Sequence, residues 1–159
     1  MSDLIGDGQT RVVWATSIAN INAPTTTELN AALDFTTRVT PDGLKTDPTT
    51  ASVDTSSLAS TYDTEDVGRT KFANELTLKR GTTGAEDLPY TTLVKGTRGY
   101  LIVRRAVTYT TAWTTGQQVE VYPTVCGERM NKPSAPNEVL KFTSPMMVYS
   151  PPATNASVA

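Results

Sequence analysis

The sequence predicts a mostly β protein: two packed antiparallel β-sheets, sandwich- or barrel-like, with one flanking α-helix and one long extended loop. Three observations carry this. Threonine supplies 29 of the 159 residues, and a β-branched polar side chain suits the wet face of a sheet. Apolar residues alternate at period two in several segments, the spacing of half-buried strands. Gly, Pro, Asn and Asp punctuate those segments as turns. The length predicts one domain, residues 1–159, large enough to bury a core. A hydrophobic fraction of 38% fits a sheet protein with one wet face per sheet, or one that completes its core by assembly.

The elements follow in order. Residues 1–10 are polar and punctuated by Gly and Asp, which predicts an N-terminal arm. Arg11–Thr16 is the first strand candidate. Thr25 and Glu28 have capping-box spacing, so a short helix or turn runs to about Ala32. Leu33–Thr40 reads as a strand closed by the turn Pro41-Asp42-Gly43. After residue 68, Phe72, Asn74, Leu76 and Leu78 alternate with Ala73, Glu75, Thr77 and Lys79. Glu86–Val94 is the best helix candidate, with Asp87 at the N-cap, Pro89 in the first turn and Gly96 just beyond the end. Tyr100–Val107 is apolar and β-branched, a central strand. Gln118–Val125 alternates, with Val119, Val121 and Val125 on one face. Glu138–Ser144 places Leu140 and Phe142 together, and Pro145 marks a bulge or edge. Residues 153–159 are small and polar, which predicts a fraying C-terminal tail.

Residues 44–68 differ from the rest. Leu44, Val53, Leu58, Tyr62 and Val67 are their only sizeable apolar residues, so the segment buries little by itself. Two readings stand: a flexible surface loop, or an excursion that orders on a neighbouring subunit.

The composition argues against chemistry. There is no histidine and one cysteine, the usual carriers of proton transfer, metal binding and nucleophilic attack near neutral pH. Asp63-Thr64-Glu65-Asp66 lacks the spacing of a calcium loop and reads as a solvated acidic loop. Glu86-Asp87 suits a helix N-terminus. No Gly-x-Ser-x-Gly, Ser-x-x-Lys or phosphate-cradling glycine pattern occurs. The expectation is a non-enzymatic protein without metal or cofactor. The net charge of −2 provides no basic field for nucleic acid. Arg104-Arg105 and Lys79-Arg80 are the only basic doublets. Neighbours in a strand point to opposite faces, so these read as surface or intersubunit ion-pair partners. Trp14 and Trp113 read as packing residues and Cys126 as a small buried hydrophobe. The first residues lack a basic region followed by an apolar stretch, and no apolar run is long enough to span a bilayer. The expectation is a soluble chain, not inserted in a membrane.

Several stretches, in order, resemble the major tail tube proteins of long-tailed, siphovirus-like bacteriophages, especially those infecting actinobacteria. They are Ile18–Thr25 with Glu28–Asn30, Asp34–Thr36 leading to Thr40–Leu44, Val67–Arg69 before the Phe72–Leu78 strand, Lys95–Arg105, and Glu138–Pro145. The resemblance implies two packed sheets with a flanking helix. It implies hexameric rings stacked into a hollow tube that houses the tape-measure protein and conducts double-stranded DNA into the host during ejection. Implied partners are further copies, the tape-measure protein, and tail-tip (distal tail) and terminator proteins; the implied place is the virion tail, after assembly in the host cytoplasm. On this implication Leu44, Val53, Leu58, Tyr62, Val67 and Arg69 belong to an inter-subunit loop. Strand alternation nominates Glu75, Thr77, Glu120, Tyr122 and Thr124 as lumen-facing. An acidic, Thr-rich wall would let DNA slide past, where a basic wall would hold phosphates. Three alternatives remain at this stage: a monomeric β-sandwich binding or adhesion module, a hydrolase using a carboxylate pair, and another virion joining or decoration protein.

Overall fold

Alternation along the strands decides which side chains meet. The computed structural model describes residues 1–159. In chain order the elements are β1 (Thr10–Ala15), α1 (Thr26–Ala31), β2 (Leu33–Asp34), β3 (Val39–Asp54), β4 (Glu65–Lys79), α2 (Leu88–Thr92), β5 (Arg98–Arg105), β6 (Gln118–Cys126), β7 (Met130–Asn131), β8 (Lys141–Val148) and β9 (Ala153–Ser157). All pairings are antiparallel. The strands form one hydrogen-bonded sheet in the order β2-β1-β5-β6-β8-β4-β3, with β7 on β8 and β9 on β6.

The sheet doubles back at β8. Ala73–Lys79 of β4 pair with Lys141–Met147, while Met146–Val148 also pair with β6. The two halves enclose a shared interior: Val12, Trp14, Leu101, Val103, Tyr122 and Cys126 from β1, β5 and β6 meet Leu76, Leu78, Phe142 and Met146 from β4 and β8. Phe35 and Leu93 close its ends. Each such buried side chain contributes about 2 kcal/mol. Pro145 lies where β8 passes from β7 to β6. Its missing N–H costs no ladder bond there, and its carbonyl accepts from the Gly127 N–H at 2.8 Å.

The opposite face of β1, β5 and β6 is buried too. Val13, Ala15, Ile102, Val119 and Val121 pack under Ile18, Leu29 of α1, Trp113, Ala153, Ala156 and Val158. This half is therefore covered on both sides, which is why β5 reads as a near-continuous apolar run. Gly99 at its start lets Trp14 lie against the backbone; an added Cβ would stand 2.4 Å from the indole.

Several expectations change. The structure has two helices, both short. α1 carries the expected capping box, Thr25 accepting from the Glu28 N–H and Glu28 from the Thr25 N–H. In α2 the Asp87 carboxylate makes no cap bond; it binds Arg80 instead, at 2.7 and 2.8 Å. Leu33–Thr40 is not one strand. After β2, the Asp34 carboxylate accepts from the Thr36 N–H at 2.9 Å, and the chain turns to drop Phe35 into the core. Pro41-Asp42-Gly43 does not close a strand. It bulges within β3, where the register jumps from Val39 opposite Leu78 to Leu44 opposite Leu76. Gly43 is required there, because a Cβ would stand 2.4 Å from Thr40 Oγ1 and 2.5 Å from the Thr77 carbonyl. Leu140 lies before β8 and is exposed. Residues 44–68 are largely strand, the distal halves of β3 and β4, and not a loop.

The tail 153–159 does not fray. Gln118, Val119 and Val121 pair with Ser157, Ala156 and Ala153, and Ala153, Ala156 and Val158 are buried. Small residues are what that close approach admits. Truncation after Pro152 is expected to lower unfolding free energy by about 2–4 kcal/mol, measured by urea denaturation against the full chain.

Candidate assembly surfaces

Beyond Ala73, β4 has no partner except β3. The pairs from Pro48 opposite Phe72 to Asp54 opposite Glu65 therefore form a two-stranded arm that leaves the body by about 25 Å, at about 3.3 Å per residue. β-Branched Thr and Val hold its extended backbone. The Thr50 and Thr70 hydroxyls meet at 3.4 Å, and those of Thr55 and Thr64 at 2.9 Å. At the tip the Asp54 carboxylate accepts from the Ser56 N–H at 2.8 Å, which holds that carboxyl below its ordinary range. Residues 48–67 of the arm are exposed on both faces apart from Ser56. A lone two-stranded ribbon is marginal in water, and this one displays Val53, Leu58, Tyr62 (83% exposed) and Val67 (78%). Arg69 is exposed beside them. Leu44 is different: it belongs to the body and packs against the shared interior.

The second surface is the outer face of β3, β4 and β8. No helix or strand packs on it. Lys45 stands opposite Glu75, Glu75 opposite Pro145, Asp47 opposite Ala73, and Ala73 opposite Met147. The Thr77 and Thr143 hydroxyls meet at 3.0 Å on this face. Met147 is 57% exposed. The face is a mixed, half-polar wall bordered by β3, a long strand with one unpaired edge. An open edge of this length invites pairing with another chain.

The five residues nominated by alternation fall into two sets. Glu75 and Thr77 lie on this uncovered face. Glu120, Tyr122 and Thr124 point the other way, toward the shared interior, and Tyr122 and Thr124 are fully buried. For those two the expectation of a wall position is corrected: the second half of the sheet folds over their face. Glu120 stays at the rim. Its carboxylate accepts from Arg105 at 2.8 Å and from the Tyr122 hydroxyl at 3.0 Å. Arg105 also donates to Thr46 Oγ1 at 3.3 Å, so the network ties β5 and β6 to β3 across the mouth of the sandwich. Burial, with the Glu120 charge beside it, pushes the Tyr122 phenol up to about 12.

Neither arginine of the first doublet is a free surface charge. Arg104 is wholly buried. It donates to Gln117 Oε1 at 3.1 Å and to the Thr108 and Thr111 carbonyls at 2.9 Å each, and lies over Trp113. It thereby pins the 106–117 segment over the second apolar cluster. At the other end of the molecule Arg80, paired with Asp87, stacks on Tyr90, which also carries Arg129. Burial pushes the Cys126 thiol up to about 11, so this cysteine stays an unreactive core residue at neutral pH. The N-terminal arm is exposed, and Gly8 tethers it by accepting from the Tyr109 N–H at 2.9 Å.

A half-polar, uncovered sheet face and a projecting ribbon are the two exposed surfaces on which a functional reading turns. The phage tail tube protein family matches residues 1–159, and the chain belongs to that family. The family is a structural one, a component of the virion tail. A search of curated proteins finds no match.

The rim network has a pH signature. Tyr122 has a folded pKa of about 12, above the ordinary tyrosine value of about 10. The folded state therefore holds the phenol proton longer. That stability is full below about pH 10 and is lost as pH rises toward 12. Tyr122→Phe is expected to flatten the fall in melting temperature across this window, read by circular dichroism.

Proposed function

We propose that this chain is the repeating subunit of a siphovirus-like tail tube of the actinobacteriophage type. Six copies close into a ring, rings stack, and the bore houses the tape-measure protein before conducting double-stranded DNA during ejection. Tail-tip and terminator proteins close the two ends, and assembly takes place in the host cytoplasm. The observation that carries this is the arm: about 25 Å of hydrogen-bonded ribbon, wet on both faces and tipped with Leu58 and Tyr62. Its cost in the isolated chain makes sense when the apolar tip residues are buried on another copy.

The sheet edges support the same reading. Pairing the free edge of β3 with a neighbour removes the exposed ladder and carries the outer face of β3, β4 and β8 around a ring. Glu75 and Thr77 then line the bore with Lys45, Asp47 and Met147. Such a wall has no continuous basic stripe in its middle to trap phosphates. Val53, Leu58, Tyr62, Val67 and Arg69 serve as contacts between subunits.

Two experiments test this. Replacing residues 49–71 with Asn-Gly joins Pro48 to Phe72 through a two-residue turn suited to a hairpin. The shortened chain is expected to melt like the full one but to form no rings or tubes in negative-stain electron microscopy; normal tubes would refute the role of the arm. In assembled virions, Glu75→Lys with Thr77→Lys is expected to slow DNA release while tube length and yield stay normal. Unchanged ejection kinetics would remove this face from the bore.

A further inference from the structure

The cross-strand register places like charges side by side at both ends of β4. Lys79, the last residue of β4, stands directly opposite Lys141 of β8. On the far side of β8, the Lys132 N–H donates to the Lys141 carbonyl at 3.1 Å, one step beyond the pairs of Asn131 with Phe142 and Met130 with Thr143. Opposed residues in an antiparallel sheet share a face, about 5 Å apart. The three lysines thus form one row across β4, β8 and β7. Arg38 extends the row past Lys79, whose N–H donates to the Arg38 carbonyl at 2.8 Å, although its own guanidinium turns to the Arg80 carbonyl at 2.9 Å. The chain has three ion pairs, Arg11–Asp34, Arg80–Asp87 and Arg105–Glu120. No lysine takes part in any of them. Asp87, near the Lys79 end, is engaged by Arg80.

The other end is the mirror image in charge. Residues 46–68 carry five acids, Asp47, Asp54, Asp63, Glu65 and Asp66, and no lysine or arginine. Against a whole-chain charge of −2, the remainder of the molecule is left at +3. At the tip Asp54 stands directly opposite Glu65. Like charges directly opposed weaken a sheet, and this chain has such a pair at each end of the same strand, about 45 Å apart along β4. Neither pair has an ion-pair partner within the subunit.

We propose that the lysine row is the docking surface for the acidic end of the arm of the next copy. The contact is head-to-tail: one end of a subunit meets the opposite end of its neighbour. Contacts of this kind propagate without limit, as a growing tube requires. Complementary charge also fixes the direction of stacking, because tip against tip and row against row repel. This rests on the tube reading above and adds to it the receiving surface and the polarity.

The test is a charge exchange, read as the critical concentration for assembly by sedimentation and negative-stain microscopy. Two variants are made, Asp54→Lys with Glu65→Lys and Lys79→Glu with Lys141→Glu. Each replaces one like-charged pair by another, so the fold carries the same local repulsion as before. Each variant alone is expected to need about tenfold or more protein to assemble. An equimolar mixture is expected to recover, since each tip then finds an oppositely charged row, and so is the fourfold variant. Raising sodium chloride is expected to weaken wild-type assembly in the same direction. A mixture that fails to recover, with both variants melting like the wild type, overturns the proposal. So does normal assembly of Lys79→Glu with Lys141→Glu; slowed DNA passage in that variant would assign the row to phosphates instead. Wild-type tubes indifferent to both reversals refute the docking alone. A wild-type chain that yields no ring or tube at any concentration refutes the tube reading as well.

Discussion

The interior shared by the two halves of the sheet is the constraint on which everything else depends. β8 belongs to both halves, pairing with β4 along most of its length and with β6 at its end. Its alternate residues Phe142 and Met146 meet Trp14, Leu101 and Tyr122 across the gap. Once that interior closes, the other faces have fixed fates. The outer face of β1, β5 and β6 is too apolar for water and must be covered. Helix α1, the segment held by Arg104 and Trp113, and the C-terminal strand all do so. The outer face of β3, β4 and β8 is polar enough to stay open.

That asymmetry separates stability from function. The covered half supplies most of the buried side chains, and its polar atoms serve packing. Arg104 is a cation held by carbonyls and an aromatic face rather than by a carboxylate. Desolvation lowers its affinity for a proton, and the arrangement survives because three acceptors and Trp113 replace the lost water. The lysines of the open half take part in no ion pair inside the subunit. Lysines opposed to lysines, and carboxylates opposed to carboxylates, are a local cost. A structural subunit can carry that cost when its stable form is an assembly.

Membership of the tail tube family unites these features. A tail tube subunit of the kind proposed needs an edge to pair, a ribbon to reach with and an open face. β3 contributes to all three. Its first residues pack on the interior, its middle borders the open face, and its distal half is one side of the arm. The bulge at Thr40–Gly43 joins the packed part to the rest without breaking the strand.

Much of this was legible in the sequence. Period-two alternation located β4 and β6, an apolar β-branched run located β5, Arg11–Thr16 marked β1, and the Thr25/Glu28 spacing located α1, because backbone sterics and capping are local. The threonine excess and missing histidine indicated a surface-building protein, because side-chain chemistry needs no fold to be read. The extended conformation of residues 44–68 was hidden, since an exposed ribbon has no apolar alternation and its strand character lies in partner hydrogen bonds. The tail hid for a related reason: Ala153, Ala156 and Val158 look like a frayed end until β6 lies beside them. Alternation also says which residues share a face but not which face is covered. Glu120, Tyr122 and Thr124 looked as open as Glu75 and Thr77, and only the folding of one half over the other separated them. The sequence by itself determined β1, β4 from Phe72 onward, β5, β6, the first helix cap and the class of protein. Tertiary structure alone decided burial, register and the lysine row across β4, β8 and β7, because those depend on contacts between residues far apart in the chain.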